Sequence, residues 1–469
     1  MYLENKNSLA KNSISFVGDF FNSLAGQAPT YSIAAGAAYI LSTSYASSPL
    51  AMLLTLIGVI TIVNSVYILS KKYSHSASFY YYVSKVLGNH VGFFNGVIYT
   101  VFYSIIGVGS IALAFAYLGY EGIYASLGIE INPLILLFVP IVLAFIIAYL
   151  GIKPSIRSEY IISFIEIGIL ILFIAFSFIY NAKNISLIPF TLKGTFSSSI
   201  RGELAAISGG LIFSITYFMG FEVSTQLGEE SKDPNKNIPI STLISTTIMG
   251  ILYILATYAI ILNVGINYNS INNFISQAQG QGLNPIYLLM KRYLGNFGLI
   301  LFSIITLFSV FGCYLATLNA TARMFFGMSK EGLMPKAFKI TNEKYKSPKN
   351  ALLLSTILSV LSIAIFYLLS LNSNSLIGIT YNAMENAYAM DSLYYVISLA
   401  LLSISAFVIT GIKGRLLSVI GLVILAVTFY YSIVNIYYLI TIIITSIFII
   451  TSYFYLRKIS KKDLNKIKY

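Results

Sequence analysis

The chain has 469 residues, of which 57% are hydrophobic and 10% are charged. A soluble globular domain carries about a quarter of charged residues, so this composition excludes that class and indicates an integral membrane protein with several spans. The formal net charge of +13 comes from residues that long apolar segments separate, so they form no basic domain for nucleic acid.

Few residues point to an enzyme or a cofactor. The single cysteine, Cys313, and the two histidines, His75 and His90, provide no Cys/His metal cluster. We interpret both histidines as solvated loop residues rather than as a pH switch. The sequence also lacks a phosphate-binding loop, a dinucleotide fingerprint and a serine-hydrolase elbow. We therefore expect no enzymatic activity, no bound metal and no cofactor.

Apolar segments near or above the roughly 20 residues that cross a bilayer recur along the chain and predict an all-α integral membrane fold with twelve spans. The predicted spans 1 to 12 are 14–46, 50–70, 91–119, 132–151, 159–180, 204–227, 241–264, 294–322, 350–371, 384–409, 415–434 and 436–456. The last two are so close that a tight turn must connect them.

The distribution of Lys and Arg supports an even number of spans. With both termini in the cytoplasm, all but five of the 29 Lys and Arg residues fall on the cytoplasmic side, as the positive-inside rule requires. The five exceptions are Lys183, Lys193, Arg201, Lys291 and Arg292. We therefore predict a multi-pass protein of the cell membrane with cytoplasmic N- and C-termini.

Span 1 contains a polar, helix-breaking sequence in mid-membrane. Gly26, Gln27 and Pro29 interrupt an apolar run, and Pro29 lacks the N–H that a helix interior needs. A tolerated proline kink would also fit, because proline is common in membrane helices. We favour a genuine break, since irregular backbone at membrane depth lines a cavity.

Span 5 carries two carboxyl groups at different depths. Glu159 lies near the cytoplasmic end, where we expect it to reach water, whereas Glu166 lies deeper in the membrane. Burial disfavours the charged form of a carboxyl group, so Glu166 could bind and release a proton. It could equally be a neutral, hydrogen-bonded residue that ties helices together.

Span 6 places a carboxyl group, Glu222, inside an apolar run. Such a group costs about 2 to 4 kcal/mol on insertion scales, so it normally faces a cavity, a pore or a partner. The neighbouring Gly220 removes the Cβ that would hold the backbone helical, and nearby hydroxyl groups can satisfy freed backbone groups. We therefore predict that span 6 is interrupted near 219–222 and that Glu222 is functional.

Spans 1 and 6 stand in equivalent places, because each opens a block of five spans. Paired interrupted helices are typical of inverted-repeat secondary transporters, in which half-helix N-termini offer unpaired N–H groups to an anion such as a substrate carboxylate. The predicted domains are a tail over 1–13, a transport core over 14–410, peripheral helices 11 and 12 over 411–456, and a basic cytoplasmic tail over 457–469. Within the core, the two repeats are 14–180 and 204–410.

Several motifs resemble those of the amino acid, polyamine and organocation (APC) transporter superfamily, in the same order over spans 1 to 9. They are SFYYYV at 78–83, GIK at 151–153, FMGFE at 218–222, GEESKDP at 228–234, IP at 238–239, NATAR at 319–323, SKEGLMP at 329–335 and SP at 347–348. Each motif alone is weak, but their shared order and spacing make the resemblance specific at superfamily level.

The resemblance implies a five-plus-five inverted repeat, with discontinuous helices 1 and 6, that moves amino acids or related amines by alternating access. It also implies that the broken backbone holds the substrate's carboxylate and amine, with wall residues in span 3. The implied substrate-binding residues are Gly26, Gln27, Ala28, Pro29 and Thr30 at the first break, Thr216, Met219 and Gly220 at the second, and Phe102 and Tyr103 in span 3.

The resemblance further implies coupling roles for two carboxyl groups. Glu222 would couple the site to the cytoplasmic half, and Glu166 falls where certain proton-coupled members carry a Lys that stands in for a sodium ion. The chain departs from the family here, since Glu166 reverses that charge, and also at 26–29, where GQAP replaces a Gly-small-Gly sequence. Alternatively, the hydroxyl groups of Thr317 and Thr321 could bind a sodium ion.

We therefore predict a secondary active transporter that imports amino acids with a proton as the coupling ion. A sodium symporter, or an exchanger of amino acids or polyamines, is the alternative. Aromatic residues and few charges in the predicted site favour a neutral or hydrophobic amino acid, although Glu222 leaves a cationic amine possible. Glu385 and Asp391 lie near the predicted outer end of span 10, where we expect exposure to solvent.

Two other classes of protein are rivals to this interpretation. An ion channel would show a repeated pore filter, which the sequence lacks. A non-transporting amino acid sensor would need an output domain, for which the predicted tails leave no room. The expected partners are a small-molecule substrate and membrane lipid, and the sequence leaves the oligomeric state open.

Overall fold

The computed structural model describes the backbone of residues 8–433 and the side chains of residues 8–430. Over this range the ordered elements are helices, joined by turns and loops and by one isolated bridge between Ile14 and Ser231. The all-α prediction is therefore confirmed for the described residues. Predicted span 12, the basic tail over 457–469 and residues 1–7 lie outside them.

The α-helices of this range are numbered in chain order. They are α1 Phe16–Gln27, α2 Pro29–Ser44, α3 Ser48–Lys72, α4 Ser78–Leu87, α5 Asn89–Val97, α6 Ile106–Leu127, α7 Pro133–Tyr149, α8 Ile152–Tyr180, α9 Ile200–Ile215, α10 Pro234–Val264, α11 Tyr268–Gly280, α12 Pro285–Lys330, α13 Lys349–Leu369, α14 Leu376–Ile409 and α15 Ile412–Ile433.

Nine helical segments within the described range are long and apolar enough to cross a membrane. The first, Phe16–Lys72, is 57 residues long and contains α1, α2 and α3, so it holds predicted spans 1 and 2. Predicted span 4 is the shorter apolar helix α7. Every predicted span inside the described range thus corresponds to helix, while the total of twelve and the two five-span repeats stay predictions.

The outer helices carry apolar side chains on their exposed faces. Phe138 on α7, Phe164 on α8 and Leu368 on α13 are each about two-thirds exposed. Apolar surface of this kind marks an interaction or membrane surface. These faces therefore suit contact with lipid, whereas the polar groups described below are buried between helices.

The first predicted helix break is present. Helix α1 ends at Gln27, Ala28 has a left-handed φ of 42°, and α2 begins at Pro29. Pro29 can start a helix but cannot continue one, because its nitrogen carries no hydrogen. The local sequence thus determines where this interruption falls.

The second predicted break is also present and is longer than expected. Helix α9 ends at Ile215 and is followed by the short 3₁₀ helices Thr216–Phe218 and Val223–Leu227. Between them Gly220 has a φ of 89°, a conformation that glycine adopts readily and other residues rarely. The irregular backbone therefore extends on both sides of the predicted 219–222.

Two backbone features were not predicted. The segment Ile98–Ile105, between α5 and α6, is a π-helix, a widened form that occurs frequently at functional sites. Helix α12 also contains a kink at Gly295, whose φ of 62° and ψ of −152° are not helical. The π-helix lies inside apolar sequence, where the hydrophobic pattern gives no sign of it, and the kink at Gly295 lies at the start of predicted span 8.

Candidate functional site

A cavity of about 470 Å³ lies where the two helix breaks meet, within the size range of small-molecule sites. Its lining includes Gly26 and Gln27 from the first break and every residue of 216–221 from the second. The other walls come from α2, α3, the π-helix, α6, α9, α12, α14 and α15. The predicted site residues among the lining are Gly26, Gln27, Tyr103, Thr216, Met219 and Gly220.

Four predicted site residues do not line the cavity. Ala28, Pro29 and Thr30 are buried behind it. Contrary to the prediction, Phe102 does not face the cavity with Tyr103, and its ring packs against Tyr394 with the centroids 4.7 Å apart. Phe102 is therefore directed towards α14, whereas Tyr103 lines the cavity.

The two breaks touch each other backbone to backbone. A Cβ added to Gly220 would lie 2.3 Å from the carbonyl oxygen of Gly26, so only glycine fits there. The Tyr253 hydroxyl lies 3.1 Å from the carbonyl oxygen of Gln27 and 3.0 Å from that of Tyr217. The Tyr253 hydroxyl of α10 is therefore within hydrogen-bond distance of carbonyl groups from both breaks.

The N–H groups at the start of α2 already have partners. The Thr30 N–H donates to Glu166 Oε2 at 3.5 Å, and the Tyr31 N–H donates to Ser309 Oγ at 3.1 Å. The Ser32 N–H donates to the carbonyl oxygen of Ala28 at 2.9 Å. The prediction that this half-helix offers unpaired N–H groups to a substrate carboxylate is therefore wrong for the described conformation, because side chains cap the helix.

Glu166 is completely buried beside this helix start. Ser309 Oγ donates a hydrogen bond to its Oε2 atom, and its Oε1 atom has no hydrogen-bond partner among the described residues. Glu166 of α8 thus connects to α2 and α12. This agrees with the predicted alternative in which Glu166 is a hydrogen-bonded residue that ties helices together. Its proposed role in proton binding stays a prediction.

Glu222 is also completely buried, below the cavity wall rather than in it. Its Oε1 accepts hydrogen bonds from Tyr99 at 3.0 Å and Tyr103 at 3.1 Å, and its Oε2 accepts one from Tyr395 at 2.6 Å. Tyr103 and Tyr395 line the cavity. The carboxyl group of the second break is therefore linked to the cavity through tyrosine hydroxyls.

The structure corrects the expected exposure of two carboxyl groups. Glu159 is completely buried and accepts a hydrogen bond from Asn22 Nδ2 at 2.9 Å. Asp391 is 1% exposed, lines the cavity and accepts a hydrogen bond from Ser110 Oγ at 3.0 Å. Glu385 also lines the cavity. Position along one helix suggested exposure, but neighbouring helices cover these groups.

His75 is a further correction, because it is 9% exposed rather than solvated. Its Nε2 lies 3.1 Å from Glu331 Oε1, and its ring stacks on Tyr81 with the centroids 4.5 Å apart. The bond to His75 holds the pKa of the Glu331 carboxyl below its usual range. His90, in contrast, is exposed as expected.

A buried polar cluster lies beyond the second break, on the predicted cytoplasmic side. Arg323 pairs with Glu230 at 2.5 Å, and both side chains are 1% exposed. Ser231 Oγ donates to Asp19 Oδ2 at 2.6 Å. The backbone of Ile14 pairs with this same loop. These bonds hold α1, α12 and the loop after the second break together.

The fold is that of a multi-pass helical membrane protein with an internal cavity, and the comparison with known families gives its class. The amino acid permease family model matches residues 20–466, and the chain belongs to that family. The predicted family is thereby confirmed. Membership in a permease family is consistent with the expectation that the protein is not an enzyme.

Individual relatives match over shorter regions. An uncharacterized protein of Methanocaldococcus jannaschii is 30% identical over 41% of this chain and 40% of its own length. The branched-chain amino acid permease BcaP of Bacillus subtilis is 28% identical over 43% and 39%, and the low-affinity putrescine importer PlaP of Escherichia coli is 28% identical over 37% and 37%. The matches thus span well under half of these relatives.

The whole fold is similar to a solved transporter. The crystal structure of the manganese transporter of Eremococcus coleocola matches with a TM-score of 0.57 over 99% of both chains, at 12% sequence identity. This similarity concerns the fold alone. Among the described residues, no group of three or more His, Cys, Asp or Glu side chains is arranged to hold a metal ion.

Proposed function

We propose that this protein is a secondary active transporter that imports amino acids or related amines by alternating access. The observation that carries the proposal is the cavity of about 470 Å³ at the meeting point of two interrupted helices. Interrupted helices at membrane depth provide backbone groups for binding, and the two halves of such a helix can move relative to each other. The relatives that carry branched-chain amino acids or putrescine support a substrate with an amino group.

The polar cluster around Arg323 supports closure of the cavity on its predicted cytoplasmic side. The Arg323–Glu230 pair is buried, and a buried pair holds its two elements firmly because separating it exposes uncompensated charge. Opening towards the cytoplasm would require α1, α12 and the loop at 228–231 to separate. This cluster is accordingly the proposed inner gate.

Glu166 supports a proton as the coupling ion. Its carboxyl group accepts one bond from the Thr30 N–H at the start of α2, next to the first break, and one from Ser309 of α12. Protonation would remove the charge that the positive end of α2 stabilises, which loosens the attachment of α2 to α8. Proton binding would in this way change the freedom of a helix that borders the cavity.

Sodium binding at the two threonines of α12 receives less support. Thr321 Oγ1 already donates to the Thr317 carbonyl oxygen at 2.7 Å and lies 2.5 Å from Ser104 Oγ. The Thr321 hydroxyl, one of the two oxygen atoms that a cation would need, is therefore already hydrogen-bonded. Glu222, linked to the cavity through Tyr103 and Tyr395, is the second proposed coupling residue.

The predicted preference for a neutral or hydrophobic amino acid rests on aromatic residues and few charges in the site. Aromatic residues and two carboxyl groups, Glu385 and Asp391, line the cavity together. A neutral or hydrophobic amino acid and a cationic amine are therefore both candidate substrates.

Uptake into proteoliposomes tests the proposed function. The purified full chain is given a labelled mixture of amino acids and amines, first with an inward pH gradient and then with an inward sodium gradient. We expect accumulation under the pH gradient, and counterflow without any gradient. Accumulation under sodium alone would contradict proton coupling, and the absence of both accumulation and counterflow would contradict the transporter proposal.

A further inference from the structure

We propose that Asp391 makes the cavity selective for a positively charged substrate, namely an aliphatic amine with an ammonium group at the end of its chain. Cationic amino acids and diamines share this chemistry. The inference rests on the proposed function and deepens it, since it names the substrate class of the same cavity. Three independent features of the site support it.

The first feature is the charge of the cavity wall. Two acidic residues of α14, Glu385 and Asp391, line the cavity. No Lys, Arg or His is among the described residues that line it. This imbalance of charge favours a ligand that brings positive charge.

Asp391 in particular is buried without a cationic partner. Ser110 Oγ donates to its Oδ2 at 3.0 Å and Ser392 Oγ to its Oδ1 at 3.3 Å, so its protein partners are neutral hydroxyl groups. The ion pairs within residues 8–430 involve Glu229, Glu230 and Glu331 instead. A buried carboxylate is stabilised when a partner of opposite charge is added, and a substrate ammonium would be such a partner.

The cavity wall next to the carboxyl group is formed in part by a glycine. Gly107 of α6 also lines the cavity, and a Cβ built on it would lie 3.3 Å from Asp391 Oδ2. Any side chain at this position would therefore crowd the carboxyl group. The absence of one leaves the approach from the cavity open.

The second feature is an unsatisfied acceptor at the first helix break. Gln27 is 1% exposed and lines the cavity, and its Oε1 atom has no hydrogen-bond partner among the described residues. Its Nε2 donates to the Ser23 carbonyl oxygen at 3.1 Å, which fixes the orientation of the amide. A buried acceptor without a donor is costly, and a primary ammonium carries three donors.

The third feature is that the expected anion site is already filled. The start of α2 would suit a substrate carboxylate, but the Glu166 carboxyl group and Ser309 accept its first N–H bonds. A substrate carboxylate there would have to displace a carboxyl group of the protein. The described conformation is thus better arranged for the cationic end of a ligand than for an anionic end.

The dimensions of the wall suit a short aliphatic chain. Glu385 and Asp391 are six residues apart on α14, which corresponds to about 9 Å along the helix axis. The rings of Tyr388 and Tyr395 line the cavity between and beside them. Aromatic faces attract ammonium groups, while ring edges can contact methylene groups.

Three compounds separate the contributions of the ammonium and the carboxylate. Lysine has both groups, cadaverine is lysine without the carboxylate, and norleucine has the carbon chain of lysine without the terminal ammonium. Proteoliposomes are loaded with one unlabelled compound, and entry of the same labelled compound is measured as counterflow. This assay needs no ion gradient, so it does not depend on the coupling ion.

We expect counterflow of lysine, cadaverine or both, and at least tenfold weaker counterflow of norleucine. Counterflow of lysine alone identifies a cationic amino acid as the substrate, and counterflow of cadaverine alone identifies a diamine. Norleucine counterflow equal to that of the charged compounds would overturn the inference but leave the proposed transporter intact. Counterflow of none of these, nor of any other amino acid or amine, would contradict the proposed function itself.

Variants then test Asp391 directly. Asp391→Asn should raise the half-maximal concentration of the charged compound at least tenfold, while Asp391→Glu should restore most of the affinity because it keeps the charge. Glu130→Gln is the matched control, since Glu130 is exposed and lies outside the cavity. Elution and melting temperature in detergent show that each variant is folded. An unchanged half-maximal concentration in folded Asp391→Asn would overturn the inference.

Discussion

At the scale of single residues, two buried carboxyl groups occupy different places in the fold. Glu166 and Asp391 both carry a carboxyl group. Glu166 of α8 lies beside the start of α2, whereas Asp391 of α14 lies in the cavity wall. The sequence located Glu166 correctly because it lies deep within an apolar run. It placed Asp391 in solvent because nothing in α14 alone shows that Ser110 of α6 covers this position.

Glu166→Gln should abolish accumulation driven by a pH gradient and leave counterflow in place. The amide cannot bind a proton at neutral pH but can still contact Ser309 and the start of α2. Glu121→Gln is the matched control, since Glu121 is a buried carboxyl group that accepts from the Asn284 N–H and does not line the cavity. A normal pH-driven accumulation in Glu166→Gln would assign the residue a purely structural role.

The protein should become less stable in acid, because the pair between Glu331 and His75 is lost there. The bond to His75 lowers the pKa of Glu331 below its usual 4.5, so the carboxylate stabilises the fold above pH 4.5 and loses this effect as the pH falls through the lower, folded-state value. Melting temperatures in detergent between pH 7 and pH 3 should decline less steeply for Glu331→Gln than for the original protein. Parallel curves would contradict this assignment.

At the scale of elements, the helix breaks follow from local chemistry and were therefore predictable. Pro29 lacks a donor and Gly220 adopts a left-handed φ of 89°, and both effects act within a few residues. The π-helix at Ile98–Ile105 has no comparable local cause. Its register depends on contacts with other helices, such as the bonds from Tyr99 and Tyr103 to Glu222.

Gly220→Ala should be strongly destabilising. A Cβ at this position would lie 2.3 Å from the Gly26 carbonyl oxygen and would also require a left-handed alanine, which together should cost about 3 kcal/mol or more. Gly280→Ala is the matched control, because a Cβ there meets nothing within 4 Å. Thermal unfolding in detergent should show a large decrease in melting temperature for the first variant only. Equal melting temperatures would mean that the two breaks do not touch.

At the scale of the whole molecule, the account depends on a cavity that opens alternately to the two sides of the membrane. Composition and hydrophobic segments were enough to predict an all-helical membrane protein, and the motif order was enough to predict its family. The assembly of the cavity from residues far apart in the chain could not be predicted in this way. Which side chains meet there depends on helix packing, as the separation of Phe102 from Tyr103 shows.

Removing Arg323 should favour opening on the predicted cytoplasmic side. Arg323→Ala leaves the Glu230 carboxyl group buried without its partner, which costs about 3 to 5 kcal/mol. Opening of the proposed inner gate would expose Glu230 to water and remove this cost. The cavity should therefore become more accessible from the cytoplasmic side. Lys330→Ala, which removes a partly exposed pair with Glu229, is the control and should leave this accessibility unchanged. An unchanged accessibility in folded Arg323→Ala would exclude the cluster as a gate.

The single cysteine of the chain allows the central claim to be measured directly. Cys313 lines the cavity and lies 3.2 Å from the Gly26 carbonyl oxygen. A small, membrane-impermeant methanethiosulfonate reagent is added to either side of vesicles with oriented protein, with and without a transported amine. We predict that Cys313 reacts from both sides in turn and that the amine slows or redistributes the reaction. Reaction from one side only, unaffected by every transported compound, would contradict alternating access through this cavity.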